Sequence, residues 1–178
     1  MDNGASSYRR YLDGDEAAFE QIVKDYFDSL TYFINGYVHD LDTAEDIAID
    51  AFSDLIVHKH RYHFKVSLKT YLFMIGRSRA LNYIKRRGKF QMTELPEELP
   101  MDSTLEEELL LQERKESLHR ALDQLKPDLR EAVHLVYFEQ LSCDEAGRVM
   151  KRTTKQVYNL LYRAKEAIRS ILAEENIL

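Results

Sequence analysis

Apolar residues recur every three or four positions along much of this 178-residue chain, which is the period of an α-helix. The first such run begins after Asp13 or Asp15, either of which can cap a helix, and ends near Gly36. A second run follows a cap at Asp42 or Thr43. Its predicted buried stripe consists of Ile47, Ala48, Ala51, Phe52, Leu55 and Ile56. Both runs predict amphipathic helices that bury one face.

A third helix is predicted from about Ser67 to Arg87, and it completes a first helical domain over residues 8–90. Its predicted packing residues are Leu68, Tyr71, Leu72 and Ile75. The next segment, residues 91–112, contains two prolines and a large excess of acidic residues. Because proline lacks a backbone donor and interrupts helices, this segment is predicted to be an acidic linker.

The last part of the chain predicts a second set of helices. Ser103 and Glu106 have the spacing of a capping box, and they are predicted to open a helix that Pro127 ends. Pro127 can also open the next helix, because the first turn does not need its missing N–H. That next helix is predicted to bury Leu129, Val133, Val136 and Tyr137. A second capping box, at Ser142 and Glu145, opens a short helix.

The C-terminal domain, residues 113–178, is predicted to end in two helices joined by a turn at Lys151 and Arg152. The longer second helix is capped by Thr153 or Thr154. A short capped helix, a tight turn and a second helix over about 22 residues have the dimensions of a helix-turn-helix. The predicted fold class is therefore all-α, with two small helical domains joined by an acidic linker and a helix-turn-helix in the C-terminal one.

Charge is divided unevenly along the chain. The formal net charge is −6, yet six basic residues and no acidic ones lie between Arg77 and Phe90, and six more basic residues lie between Arg148 and Lys165. Local basic charge is typical of nucleic-acid binding, although two solvated helix faces are the alternative. The apolar runs are too short to span a bilayer, and the single cysteine has no metal-ligand partner, so we expect a cytoplasmic protein without membrane insertion.

Side chains at the start of the last helix suit DNA recognition. The residues predicted to face outward are Thr154, Lys155, Gln156, Tyr158, Asn159, Tyr162 and Arg163. Val157, Ala164 and either Leu160 or Leu161 are predicted to face the preceding helices. In a major groove, Asn and Gln pair with adenine, whereas Arg and Lys pair with guanine or phosphate. Period and chemistry together favour DNA binding, with an ordinary helical hairpin as the alternative.

The C-terminal segment LDQLKPDLREAVHLVYFEQLSCDEAGRVMKRTTKQVYNLLYRAKEAIRSIL resembles region 4 of the extracytoplasmic-function sigma factors. The matching positions are Leu122, Leu125, Pro127, Arg130, Ser142, Glu145, Val157, Arg163 and Ala164. The segments DTAEDIAIDAF and LKTYLFMIGRSRALNYIKRR resemble region 2 of the same family, with Tyr71 in place of the usual Trp. Because both motifs occur in the family's order and together cover nearly the whole chain, the chain is similar to bacterial group 4 members of the sigma-70 family.

The resemblance implies a transcription initiation factor that is not an enzyme, needs no cofactor or metal, and binds core RNA polymerase and promoter DNA. An anti-sigma factor is a further partner that the resemblance suggests. The residues that it assigns to the −35 element are Lys151, Arg152, Thr154, Lys155, Gln156, Tyr158, Asn159, Tyr162 and Arg163. Those that it assigns to the −10 element are His60, Arg61, Tyr62, His63, Lys65, Lys69, Arg77 and Arg79. Those that it assigns to core polymerase are Asp46, Ile49, Asp50 and Ser53.

Other functions fit the sequence less well. His58, His60 and His63 suggest a metal site, but a site in a helical bundle needs a second helix bearing Glu-x-x-His, which the sequence lacks. The sequence contains no phosphate-binding glycine-rich loop and no nucleophile with an evident base. The main alternative is a stand-alone helix-turn-helix regulator with an N-terminal sensing domain, since region 4 resembles the same motif in LuxR-type regulators. The basic run RRGKF and the helix with DTAEDIAIDAF favour the sigma factor.

Overall fold

The computed structural model describes residues 4–88, 118 and 120–174, and every regular element within them is a helix. The chain divides into two compact units, with residues up to 96 in the first and most of residues 97–178 in the second. The all-α prediction is therefore confirmed. The predicted acidic linker and the predicted capping box at Ser103 and Glu106 lie outside the described residues. Among the described helices, none has a stretch long and apolar enough to cross a bilayer.

Within residues 4–88 the first unit contains four α-helices, which are α1 (Ala5–Leu12), α2 (Glu16–Val38), α3 (Leu41–Val57) and α4 (Leu68–Arg87). A short 3₁₀ turn, Lys59–Arg61, lies between α3 and α4. Three of these helices were predicted from periodicity. The fourth, α1, was not, because eight residues give too few turns for an apolar stripe to repeat.

Short polar side chains cap the three predicted helices. The carboxylate of Asp15 accepts a hydrogen bond from the backbone N of Ala18, and the hydroxyl of Ser67 accepts one from the N of Thr70. The prediction that Asp42 or Thr43 caps α3 is wrong, because Asp40 accepts a hydrogen bond from the N of Thr43 at 2.8 Å. Hydrogen bonds from Thr43 hold the pKa of Asp40 below its usual value.

The buried stripe of α3 is close to the predicted one. Ile47, Ala48, Ala51, Phe52 and Leu55 are buried, and Ala44 extends the stripe toward the start of the helix. The prediction for Ile56 is wrong, because its side chain is 45% exposed. Ile56 lies about 100° around the helix from Leu55, which places it at the rim of the face that packs against the other helices.

Helices α2 and α4 approach closely at Gly76. A Cβ atom at this position would lie 2.8 Å from Cδ1 of Leu30 and 3.2 Å from Cδ1 of Ile34. On α4 the prediction holds for Leu68 and Leu72, which are fully buried, whereas Tyr71 and Ile75 are only half-buried. Phe73 is buried instead and packs against Phe33, with their ring centroids 5.0 Å apart.

The second unit contains α5 (Pro127–Val133), most of α6 (Cys143–Met150) and α7 (Thr154–Glu174), with a π-helical turn, His134–Phe138, directly after α5. Pro127 lies in the first turn of α5, as predicted. The core joins α5 to α7. Its buried members are Leu125, Leu129, Val133 and Ala164, and the half-buried residues around them are Leu122, Leu160, Leu161, Ala167 and Ile168.

The π turn explains a wrong prediction in this unit. Tyr137 was predicted to be buried but is 69% exposed, and Val136 is only half-buried, whereas Leu135 is fully buried. In the π turn the backbone N of Glu139 donates to the O of His134, five residues earlier. A turn with one extra residue changes the phase of the helix, so positions chosen with a period of 3.6 no longer face the core.

Gly36 in α2 and Gly76 in α4 give a matched test of packing in the first unit. Replacing Gly76 with Val is expected to lower the free energy of unfolding by about 1–3 kcal/mol, because the added atoms would press on Leu30 and Ile34. Replacing Gly36 with Ala is expected to raise it by about 0.5–1 kcal/mol, because space is open at this helical position. Urea unfolding of the full chain followed by circular dichroism measures both. A stable Gly76→Val protein would contradict the close helix crossing.

Candidate nucleic-acid interface

Helix α6 begins with the predicted capping box. The backbone N of Ser142 donates to Oε2 of Glu145 at 3.0 Å, and the backbone N of Glu145 donates to Oγ of Ser142 at 3.2 Å. Each side chain thus satisfies a backbone donor that a helix start leaves without a partner. The box fixes where α6 begins, and therefore where the following turn lies.

The turn between α6 and α7 depends on a close backbone contact at Gly147. The N of Arg152 donates to the O of Gly147 at 2.8 Å, and Lys151 adopts the left-handed conformation with φ of 56°. A Cβ atom on Gly147 would lie 2.7 Å from the O of Arg152, which is closer than real Cβ contacts allow. Sequence reasoning missed Gly147, although a glycine inside a helical pattern often marks a close approach of this kind.

Thr153 caps α7. Its Oγ1 accepts a hydrogen bond from the N of Gln156 at 3.2 Å, and its own N donates to Oε1 of Gln156 at 2.8 Å. Of the two caps that the sequence allows, the structure therefore selects Thr153. Gln156 was predicted to read DNA, and its amide oxygen has a structural role at the start of the helix as well.

The first half of α7 presents its polar side chains to solvent. Val157 and Ala164 are fully buried, and Leu160 and Leu161 are half-buried, so the predicted inner face is confirmed. All the residues predicted for the −35 element are exposed, namely Lys151, Arg152, Thr154, Lys155, Gln156, Tyr158, Asn159, Tyr162 and Arg163. Their outward placement is therefore confirmed, while their contact with DNA stays a prediction.

Two of these residues have acidic partners within the same unit. Arg152 Nη2 lies 3.1 Å from Oδ2 of Asp128, and both side chains are largely exposed. The Oγ1 of Thr154 lies 3.5 Å from Oδ1 of Asp144. Exposed ion pairs contribute little to stability, so Arg152 can exchange Asp128 for a phosphate at small cost.

The segment between α3 and α4 carries most of the residues predicted for the −10 element. His60, Arg61, His63 and Lys65 are exposed, as a strand-binding surface requires. Tyr62 is not, because its side chain is only 4% exposed and its hydroxyl donates to the O of Val66 at 2.7 Å. The contact of Tyr62 with the −10 element therefore stays a prediction, and in this structure its side chain packs inside the segment.

Lys69, Arg77 and Arg79 are half-buried on α4. Arg79, predicted for the −10 element, is held by two acidic side chains of α3. Its Nη1 lies 2.9 Å from Oδ2 of Asp50, and its Nη2 lies 2.7 Å from Oδ2 of Asp54. Sequence reasoning assigned Asp50 to core polymerase and gave Asp54 no such role, so the structure joins two sites that were predicted separately. Arg79 thus ties α3 to α4 and has less positive charge to offer to DNA.

The outer face of α3 contains apolar and acidic side chains together. Asp46, Ile49 and Ser53 are exposed, with Ile49 at 53%, and Val57 further along the same face is 71% exposed. Ile and Val side chains are usually buried. Exposed aliphatic residues beside carboxylates therefore have the composition of a partner-binding surface. Among the residues that the structure describes, no three acidic, histidine or cysteine side chains are grouped as a metal ion would require.

Comparison with known proteins identifies the class. Residues 22–90 match the family described as Sigma-70 region 2, and residues 115–168 match Sigma-70, region 4. The chain therefore belongs to the sigma-70 family, whose members are non-catalytic transcription initiation factors of RNA polymerase. A match to region 2 in the first unit does not favour the alternative of a stand-alone regulator with an N-terminal sensing domain.

The curated relatives include the extracytoplasmic-function group. The chain is 28% identical to the RNA polymerase sigma-H factor of Pseudomonas aeruginosa, over 89% of this chain and 88% of the relative. It is also 28% identical to the ECF RNA polymerase sigma factor SigE of Mycolicibacterium smegmatis, over 92% of this chain and 66% of the relative. A third relative is the ECF RNA polymerase sigma factor SigM of Bacillus subtilis, at 25% identity over 85% and 93%. The chain is thus an RNA polymerase sigma factor of the extracytoplasmic-function group.

Solved structures support the fold. The sigma factor RpoE from Bartonella quintana, crystallised with the anti-sigma factor NepR, matches with a TM-score of 0.69 and 19% identity over 87% of this chain and 96% of its own. The structure of CnrH in complex with the cytosolic domain of CnrY matches with a TM-score of 0.66 and 20% identity over 97% and 99%.

The contact at Gly147 gives a test of the turn. Replacing Gly147 with Ala is expected to destabilise the second unit by about 1–3 kcal/mol, because the new Cβ would meet a backbone oxygen that cannot move without reshaping the turn. Thermal unfolding measures the loss, with Gly36→Ala as the matched glycine replacement in the other unit. Unchanged stability of Gly147→Ala would show that the turn adapts easily.

Proposed function

We propose that this sigma factor directs transcription initiation through three separate surfaces. The start of α7 reads the −35 element, the segment from His60 to Lys65 together with α4 holds the −10 element, and the outer face of α3 binds core RNA polymerase. In this proposal residues 8–90 act as region 2 and residues 113–178 act as region 4. The protein works in the cytoplasm and catalyses no reaction of its own.

One observation supports the −35 assignment most strongly. Around the start of α7 every predicted DNA-facing side chain is exposed, while Val157 and Ala164 on the opposite face are fully buried. A helix held by one apolar face presents the other face rigidly, and its first turns carry amide, hydroxyl and cationic groups that match base edges and phosphates. The same helix is capped and preceded by a constrained turn, which fixes its direction.

The −10 assignment rests on a different chemistry. An opened strand is held by cationic and stacking side chains, and His60, Arg61, His63 and Lys65 form an exposed basic and aromatic group on one short segment. In this proposal Arg79 holds α4 to α3 and does not itself bind DNA, since its guanidinium pairs with Asp50 and Asp54.

The partners follow from the class of protein. Core RNA polymerase and promoter DNA are the partners of a sigma factor. A related fold was solved with an anti-sigma factor bound, so a regulatory protein of this kind is a further partner in the proposal.

The −35 assignment is tested by substitutions that separate base reading from capping. Asn159→Ala is expected to cost about 1–3 kcal/mol of binding at one base pair if the contact is bidentate. Gln156→Glu keeps an acceptor for the N of Thr153 but loses the amide donor, so it is expected to weaken −35 binding without lowering stability. Thr153→Ala is the matched control, because it removes the cap and is expected to cost about 1 kcal/mol of stability without changing base preference.

Lys155 is expected to behave differently from these residues. Replacing it with Ala should weaken binding to all sequences alike and reduce the salt dependence of binding by up to about one ion, as expected for a phosphate contact. Binding of polymerase holoenzyme to promoter fragments at several salt concentrations measures both effects. Full binding and unchanged base preference in the Gln156 and Asn159 variants would contradict the assigned orientation of α7.

The core polymerase assignment is tested on α3 without disturbing the Arg79 ion pairs. Asp46→Arg combined with Ile49→Ala is expected to weaken association with core polymerase by about tenfold or more, because a like charge at a complementary interface costs several kcal/mol. Asp28→Arg on α2 is the charge-matched control and is expected to bind normally. A pull-down with core polymerase measures association, and wild-type retention of the double variant would overturn the assignment.

A further inference from the structure

Helix α1, which sequence periodicity did not predict, packs against the segment assigned to the −10 element. Tyr8 of α1 is fully buried, and its hydroxyl donates a hydrogen bond to the O of Leu55 at 2.8 Å. The O of Lys59, at the start of the segment, lies 3.4 Å from the same hydroxyl. Leu55 is in the last turn of α3, where carbonyl groups lack partners within the helix. Tyr8 therefore ties the end of α3 to the beginning of the segment.

The ring of Tyr8 also packs against aromatic side chains of the segment. It meets the ring of Tyr62 edge to face with centroids 5.5 Å apart, and it lies 6.2 Å from the ring of Phe64. Burial raises the pKa of the Tyr8 phenol to about 12, so the hydroxyl remains a donor even at alkaline pH values where an exposed tyrosine ionises. Aromatic pairs in these geometries add stability beyond the burial of their area.

Two cation contacts connect the surface of α1 to the same segment. The guanidinium of Arg9 lies 4.8 Å from the centre of the Phe64 ring, and the Nζ of Lys59 lies 4.5 Å from the centre of the Tyr11 ring. In the first contact α1 supplies the cation and the segment supplies the ring, and in the second contact these roles are reversed. Such contacts are weak one at a time, but here two of them join α1 to the same short stretch of chain.

The segment needs this support because its backbone is strained. Phe64 has φ of 56°, a left-handed conformation that is costly for a bulky side chain. Conformations of this kind persist only where the surroundings hold them, and they concentrate at functional positions. Phe64 separates His63 from Lys65, so its conformation sets the directions in which these two exposed side chains point.

We propose that α1 is a brace for residues 58–66, and that Tyr8 is a positioning residue for recognition of the opened −10 strand. The inference rests on the proposed function, in that it assumes that residues 58–66 hold the −10 element. Tyr8 does not contact DNA in this account. It fixes the backbone from which His60, Arg61, His63 and Lys65 extend, and so it determines how sharply the segment distinguishes one base from another.

The test uses holoenzyme formed from core polymerase and the full chain. The ratio of affinities is measured for a single-stranded oligonucleotide with the promoter's own −10 sequence and for one with a single base replaced. A variant that is partly unfolded loses affinity for both oligonucleotides equally, so the ratio responds only to the geometry of the bound segment. Tyr8→Phe, which removes only the hydroxyl, is expected to lower the ratio by about two- to tenfold, the range that corresponds to one hydrogen bond.

A second variant and a control accompany Tyr8→Phe. Arg9→Ala removes an exposed cation from the Phe64 ring and is expected to lower the ratio by a smaller factor. Tyr32→Phe removes the hydroxyl of a tyrosine on α2 that is 61% exposed, and it is expected to leave the ratio unchanged. Hydrogen exchange gives an independent readout, since amides of residues 58–66 are expected to exchange faster in Tyr8→Phe while those of α2 do not.

A variant that combines His60→Ala, Arg61→Ala and His63→Ala separates two hypotheses, the brace by α1 and the assignment of residues 58–66 to the −10 element. If this variant lowers the ratio and Tyr8→Phe leaves it unchanged, the brace is overturned and the −10 assignment stands. If neither changes the ratio, the assignment of residues 58–66 fails, and the brace fails with it. If Tyr8→Phe lowers the ratio and the combined variant does not, α1 acts by another route and the proposal is also overturned.

Discussion

Burial of one apolar face on each helix is the constraint on which the other features of this protein depend. Most of the stability of a helix within a protein comes from packing of its apolar face, and in α3 and α7 that packing buries Leu55, Val157 and Ala164. Because burial uses only one face, the opposite face is free to carry function. Both the surface of α7 proposed for the −35 element and the surface of α3 proposed for polymerase arise in this way.

Caps and a constrained turn fix the ends of the helices in the helix-turn-helix, and so they fix the direction in which the exposed face of α7 points. The Ser142–Glu145 box, the backbone contact at Gly147 and the Thr153 cap follow one another along the helix-turn-helix, and each satisfies or constrains backbone groups that would otherwise be left to solvent. Gln156 shows that one side chain can serve both purposes, since its oxygen completes the cap of the helix that it is proposed to use for reading DNA.

Charge is organised locally, which is how an acidic protein presents cationic surfaces. Exposed basic residues follow α3 and begin α7, whereas Asp50 and Asp54 hold Arg79 between α3 and α4. These ion pairs lie between the surface proposed for polymerase and the one proposed for the −10 strand. The two sites therefore share a structural support, although their chemistry differs.

The amino-acid sequence alone is enough to predict the class of fold, the bounds of most helices, the Ser142–Glu145 capping box, and which side of α7 is polar. These features depend on residues close together in the chain, so a period of 3.6 and a few cap residues are enough to predict them. It also predicted which sets of residues to examine for DNA and polymerase contacts. It did not predict α1, whose eight residues are too few for a repeating stripe.

Which of the candidate side chains are accessible depends on contacts between distant parts of the chain. Tyr62 is buried because Tyr8, distant in sequence, packs against its ring, and Arg79 is neutralised by acids that lie 25 and 29 residues earlier. Ile56 and Tyr137 are exposed for related reasons, one because it lies at the rim of a packed face and the other because a π turn changes the phase of its helix. Burial and pairing between distant segments depend on how helices meet, and a periodic pattern within one helix carries no information about its neighbour.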